Sequence, residues 1–442
     1  MSAVGTEPKV TAVRGHAVSY SGDPFVDPDA FVDIADALIV CADGLITRFG
    51  PYDQIRGTLP PDVEIRHYPD ALICAGFVDL HAHYVQMGII GAFGSELLEW
   101  LTHHTFREEQ RFGDLAHARS TAAAYFDEIL RNGTTTAAVF CTVHPESVDA
   151  LFAESARRGT RMIAGKVLMD RNAPDPLLDT AARGYEESEG LIARWHGVGR
   201  QLYAVTPRFA PTSTPAQLEA AGALRARHPG TFVHTHVSEN VAETAWVRSL
   251  FPDRAGYLDV YDHFGLLGPG TILAHGIHLT DAERARIAAT GSAIAHCPTS
   301  NLFLGSGLFG MRDAKECAAP LHVGLGTDIG AGTSLSMLAT MNEAYKVAAL
   351  DSYPVSAVRL FYLATRGGAA ALGLDDRIGS LMVGNEADFV VLDPNATPML
   401  AQRSRRAEST EELMFVMSIL GDDRAVAATY VAGRPAYERD RA

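Results

Sequence analysis

The chain has 442 residues, 47% of them hydrophobic and 20% charged, which supplies a large core and excludes a mainly disordered protein. Its 37 basic and 53 acidic residues leave a formal charge of −16 with no Lys/Arg cluster, excluding nucleic acid and anionic membrane surfaces as partners. No apolar run is long enough to span a bilayer, and Glu7, Lys9 and Arg14 interrupt the stretch a signal peptide would need, so a cytosolic location is expected. Five cysteines at wide spacing, without a CxxC pair, read as reduced thiols.

Residues 1–68 read as short strands. Within 37–49, two apolar stretches flank Asp43-Gly44, a hairpin signal because both turn residues tolerate positive φ. The chain from 376 onward has the same character, with strand-like runs at 387–392 and 429–434. Both ends are therefore expected to join in one small β-rich domain, a β-sandwich formed from both termini. Between them, over 69–375, about eight short apolar runs recur, at 72–83, 135–142, 161–169, 202–209, 232–237, 272–278, 293–297 and 322–328. Intervening segments such as 115–131, 178–195, 215–227 and 281–289 have helical apolar spacing. This alternation predicts an α/β fold, a (β/α)8 TIM-like barrel rather than an open sheet.

Active sites of such barrels form at the C-terminal ends of the strands, and those ends carry the chemistry here. The first run ends in His81-Ala82-His83, whose two imidazoles fall on one face of a strand. The fifth ends in His234-Thr235-His236, followed by Glu239; the sixth reaches His275 and the eighth Asp328. A lone strand-end His is more often a hydrogen-bonded core residue than a ligand; the joint occurrence at four strand ends points to a metal site. Three or more imidazoles and one carboxylate suit Zn²⁺, with Fe²⁺ the second choice. A metal so held lowers the pKa of its water to about 7, and a nearby carboxylate shuttles the proton. His236 is assigned to the metal. His234, one pleat further from the strand end, is left to support a ligand or pack in the core.

These stretches, with Leu98-Glu99-Trp100-Leu101, Pro207-Arg208-Phe209-Ala210-Pro211-Thr212, Pro298-Thr299-Ser300-Asn301 and the following Leu304-Gly305-Ser306-Gly307-Leu308-Phe309, resemble the amidohydrolase superfamily. The resemblance is to its mononuclear-metal deaminase branch and, within that, to the members acting on guanine. It implies one Zn²⁺ per subunit on His81, His83, His236 and Asp328, with Glu239 as proton shuttle. His275 would contact the attacking oxygen as a weak ligand or through a hydrogen bond. Gln86, Arg208 and Phe209 would bind the purine, with Trp100 and Leu98 walling its pocket. The implied reaction is hydrolysis of guanine to xanthine and ammonia in purine metabolism, carried out by a homodimer. Alternatives are a related aminohydrolase acting on 8-oxoguanine, a pterin or an s-triazine, and a non-catalytic assembly protein of the same fold. The chain departs from the family pattern at Val85 and Arg107, where proline is expected, and at Phe93, where tyrosine is usual; these positions bear on pocket shape. Two-metal relatives carry a bridging lysine at the end of the fourth strand, whereas Lys166 lies on the third, so a single metal is expected. The zinc-thiolate deaminase pattern is missing, because Cys297 precedes Pro298 with no second cysteine nearby.

Overall fold

A computed structural model describes residues 10–94 and 96–439; Glu7 and Lys9 lie outside them. Eight parallel strands follow one another around a barrel: Phe77–His83, Thr134–Phe140, Arg161–Gly165, Leu202–Pro207, Phe232–Val237, Thr271–His275, Ala293–His296 and His322–Leu325. Backbone hydrogen bonds from Asp328 N to His81 O and from His83 N to Ile329 O, both 2.7 Å, tie the eighth-strand end back to the first strand. Helices such as Leu115–Arg131, Pro145–Arg158, Ala181–Trp195 and Pro215–Arg227 connect the strands. Capping is local: Thr180 and Thr214 each accept from the backbone N–H three residues on, satisfying a donor that the first helical turn leaves open.

Both termini build a second, seven-stranded sheet. It includes the hairpin Phe31–Ala42 and Leu45–Pro51, whose turn residues Asp43 and Gly44 both have positive φ. Phe389–Leu392 pairs antiparallel with Ile65–Ala75, so the C-terminal segment is stitched directly to the N-terminal one. The region 72–83, expected as one strand, is two. Ile65–Ala75 belongs to the terminal sheet and Phe77–His83 to the barrel. They part at Gly76, where a Cβ would lie 2.3 Å from Thr135 Oγ1. Two helices in the C-terminal region, Pro398–Ser404 and Thr410–Leu420, accompany the strands. Sheet and barrel meet at a half-buried ion cluster, in which Arg200 Nε donates to Glu386 at 2.8 Å and Arg161 Nε to the same oxygen at 3.1 Å. No helix among the described residues is long and apolar enough to cross a membrane.

Candidate active site

Strand alternation alone does not place all the expected ligands. On the fifth strand it does: Phe232 packs in the barrel interior while Val233 and Val237 join the outer core, which leaves His234 and His236 facing inward. On the first strand Val78 and Leu80 already occupy the interior, and strict alternation would put Ala82 there next. The register slips between Asp79 and Ala82, a bulge that moves Ala82 to the outer core and turns His81 and His83 inward. Asp79 secures the bulge by accepting from His81 N at 3.1 Å, Thr327 N at 2.9 Å and Thr327 Oγ1 at 2.5 Å. Burial pushes its carboxyl up to about 7 against those hydrogen bonds. On the sixth strand Leu273 faces the outer core, and His275 would follow it but for a φ of 71°. Asp328 has a φ of 48°. His and Asp are among the side chains that enter this region most readily.

The result is a convergence. His83 Nε2 lies 3.2 Å from His81 Nε2 and 3.3 Å from His236 Nε2. Asp328 Oδ1 lies 3.1 Å from His81 Nε2 and 3.4 Å from His83 Nε2. Four donors arranged tetrahedrally around an ion with bonds of about 2.0–2.1 Å have edges of about 3.4 Å, which these four separations match; His236 groups with His81 and His83, and Asp328 with His81 and His275, as sets able to hold a metal ion. The protonation states fit as well. Burial lowers the pKa of all three imidazoles, those of His83 and His236 furthest. Burial would raise the Asp328 carboxyl, yet the facing imidazoles of His81 and His275 outweigh it and hold its pKa below the usual carboxylate value. Neutral imidazoles and an ionised carboxylate are what a metal requires.

Neighbours fix the ring tautomers. His81 Nδ1 lies 2.8 Å from His234 Nε2 and His236 Nδ1 lies 2.7 Å from the Arg208 carbonyl; a proton on each Nδ1 leaves each Nε2 bare for the ion. His234 is thus an orienting partner of His81. His275 stands beside the cluster, 3.8 Å from Asp328 Oδ2 and 3.4 Å from Glu239 Oε2. Burial works against its protonation, but Glu239 and Asp328 outweigh that and raise its pKa. Glu239 is buried, and desolvation pushes its pKa up to about 7.

The pocket over the cluster is lined by His83, Gln86, Leu97, Trp100, Leu101, Arg208, Phe209, His236, Glu239, His275, Leu304, Asp328 and Ala331. The expected metal, shuttle and purine-binding positions therefore meet in one cavity, with two exceptions, of which His81 touches His83 and Asp328 from outside the lining. Leu98 packs in the adjoining apolar cluster but does not line the pocket, because the helical winding puts Leu97, Trp100 and Leu101 on the inward face. Phe93 is 86% exposed and lies apart from the pocket, while Val85 is buried. Lys166 is committed elsewhere, ion-paired with Asp179 and lying 3.3 Å from Glu187.

One residue behind the pocket, holding two of its lining side chains, escaped the sequence reading. Glu109, fully buried, accepts from Arg208 Nη1 with both oxygens, at 2.8 and 3.0 Å, and from Gln86 Nε2 at 3.0 Å. Nothing in its local sequence marks it, since its partners lie 23 and 99 positions away.

Residues 72–436 match the amidohydrolase family. The chain belongs to that family. It is 51% identical to a guanine deaminase of Escherichia coli strain K12, over 98% of this chain and 99% of the relative. The solved E. coli guanine deaminase superposes with a TM-score of 0.94, covering 97% of this chain and 99% of that one at 50% identity. The guanine deaminase of C. acetobutylicum, solved with guanine in its active site, gives a TM-score of 0.87 at 30% identity, over 97% of this chain and all of that one. As an amidohydrolase the chain is a hydrolase, and it carries a His/His/His/Asp metal-binding group.

Proposed function

We propose that this amidohydrolase deaminates guanine hydrolytically to xanthine and ammonia, using one Zn²⁺ on His81, His83, His236 and Asp328. The observation that carries the reading is that one pocket is lined by His83, His236, Asp328 and Glu239 on one side and by Gln86 and Arg208 on the other, with His81 against the first group and Glu109 holding the second. The ion, when bound, supplies Lewis-acid activation of water and stabilises negative charge. Glu239, titrating near neutrality, takes a proton from the attacking water and delivers it to a ring nitrogen, which makes the amino-bearing carbon electrophilic. The C–O bond forms, and the C–N bond breaks as Glu239 hands the second proton to the departing ammonia. His275, beside Glu239 and Asp328, orients the water and supports the charge that develops on its oxygen.

Purine selection rests on donors. Glu109 engages Arg208 through Nη1 and Gln86 through its amide nitrogen, leaving further guanidinium and amide N–H groups for acceptors. The carbonyl and ring nitrogens of guanine supply such acceptors. Phe209, Trp100 and Leu101 provide apolar walls for a flat ring. We further propose that the catalytic domain lies within 69–375, its barrel starting at Phe77, that 1–68 and 376–442 together with the strand ending at Ala75 form its companion, and that the enzyme acts in cytosolic purine metabolism as a homodimer. The test is purified protein with guanine, following xanthine by absorbance together with ammonia, before and after a chelator and after Zn²⁺ is restored. Guanine should rank first against 8-oxoguanine, a pterin and an s-triazine. Normal metal content with no xanthine formed would exclude the reading.

A further inference from the structure

The Leu304–Phe309 run that the sequence singles out has no role in the chemistry above, yet it reaches the proton-handling groups. We propose that the segment 297–307, made of the short helix Pro298–Phe303 and the turn after it, is a positioning platform on which Ser306 anchors Oε1 of Glu239, leaving Oε2 as the oxygen that carries the shuttled proton, while Asn301 holds the partner imidazole of His275. The proposal rests on the deamination reading and assigns its proton path to one atom.

Four contacts support it. Ser306 Oγ donates to Glu239 Oε1 at 3.0 Å, and both side chains are buried. Glu239 Oε2 faces His275 Nε2 at 3.4 Å, and His275 Nδ1 lies 2.9 Å from Asn301 Oδ1. Asn301 O accepts from Ser306 N at 2.8 Å, so the two anchors are also tied to each other. The backbone is built for this presentation. Ser306 sits between Gly305 and Gly307, with φ of 64° and 134°, and its carbonyl lies 2.8 Å from His278 Nε2. A Cβ on Gly307 would come within 3.0 Å of Ile277. On the other side, Glu239 N donates to Glu243 Oε2 at 2.9 Å, so main chain and one carboxylate oxygen are both held.

A carboxylate with one oxygen anchored presents the other in a fixed direction. Oε2 removes one proton from water and passes it to the ring nitrogen, then carries the second to the nitrogen leaving as ammonia. Water and guanine account for every atom of xanthine and ammonia, and no redox partner enters. Ser306 and Asn301 are positioning residues, acting through Glu239 and His275.

The test uses the metal-loaded full chain with guanine as substrate and the variants Ser306→Ala, Ser306→Cys and Ser306→Thr. Loss of a hydrogen bond to a charged group predicts that kcat falls about 10- to 100-fold in Ala, and similarly in Cys, whose thiol is a weak donor. KM should stay within about twofold, metal content and Tm should match the wild type, and Thr, which keeps the hydroxyl, should recover most of kcat. Undiminished kcat in Ser306→Ala, with an active wild type, overturns the positioning role alone. So does a loss that Thr fails to rescue and that tracks a drop in bound metal or Tm. A wild type that forms no xanthine overturns the deamination reading itself.

Discussion

Replacing Glu239 by Gln isolates proton transfer from everything else the residue does. The substituted side chain keeps its length, Ser306 can still donate to Oε1, and the main-chain hydrogen bond to Glu243 is untouched. What disappears is the basic oxygen 3.4 Å from His275 Nε2, since an amide nitrogen there cannot accept a proton. Positioned proton transfer is worth about 10²–10⁴ in rate, so the barrier should rise by about 3–5 kcal/mol. Because the four metal-facing donors are unchanged, bound metal should equal that of the wild type, and KM should move far less than kcat. Initial rates of xanthine formation, ammonia release and metal analysis on the same preparation give all three quantities. A folded, metal-loaded Glu239→Gln protein turning over guanine within about tenfold of wild type would refute the shuttle, since less than the lower bound for proton transfer would have been lost.

Further outcomes follow from the surrounding contacts. His234→Phe removes the acceptor that fixes the His81 tautomer, and metal affinity should fall about 10- to 100-fold; chelator competition measures it, and unchanged affinity would make His234 a packing residue. Glu109→Gln leaves the buried Arg208 guanidinium without its counter-charge, so stability should drop by about 3–5 kcal/mol and KM for guanine should rise; urea unfolding and steady-state kinetics check the two halves separately. At the sheet–barrel junction, burial would raise the Glu386 carboxyl, but hydrogen bonds from Arg161 and Arg200 outweigh it and hold it below 4.5. A depressed carboxyl stabilises the fold above its unfolded pKa, and that stabilisation is lost as pH falls through the folded value. The urea midpoint of the wild type should therefore fall more steeply than that of Glu386→Gln once pH drops below about 4.5; parallel profiles would count against the junction.

Features encoded by neighbouring residues were legible in the sequence. The Asp43-Gly44 turn needs two residues that accept positive φ, and the structure places both there. The eight barrel strands show as short apolar runs because a parallel sheet covered on both faces leaves little room for polar side chains. His81, His83, His236, His275 and Asp328 stand out because strand ends are where such a barrel builds its site, and the chemistry of a metal restricts the residue types.

The rest depends on partners remote in sequence. Asp79 sits within the motif carrying His81 and His83, yet its task, satisfying a bulge and Thr327, exists only once the first and eighth strands are adjacent. Simple alternation paired His81 with His83 correctly but could not say which face they take; the bulge decides that. Glu109 and Ser306 are less legible still, since a buried carboxylate and a serine hydroxyl reach the candidate site only through their contacts with Arg208 and Glu239. Leu98 shows the converse error. The family pattern around Trp100 marks the right segment, but the helix phase decides which leucine meets the pocket, and it selects Leu97 and Leu101. Ligand type is thus readable from composition at strand ends. Orientation, tautomer and proton direction are set by hydrogen bonds that have no period in the sequence, which is why Ser306 tests the reaction geometry more sharply than another ligand substitution would.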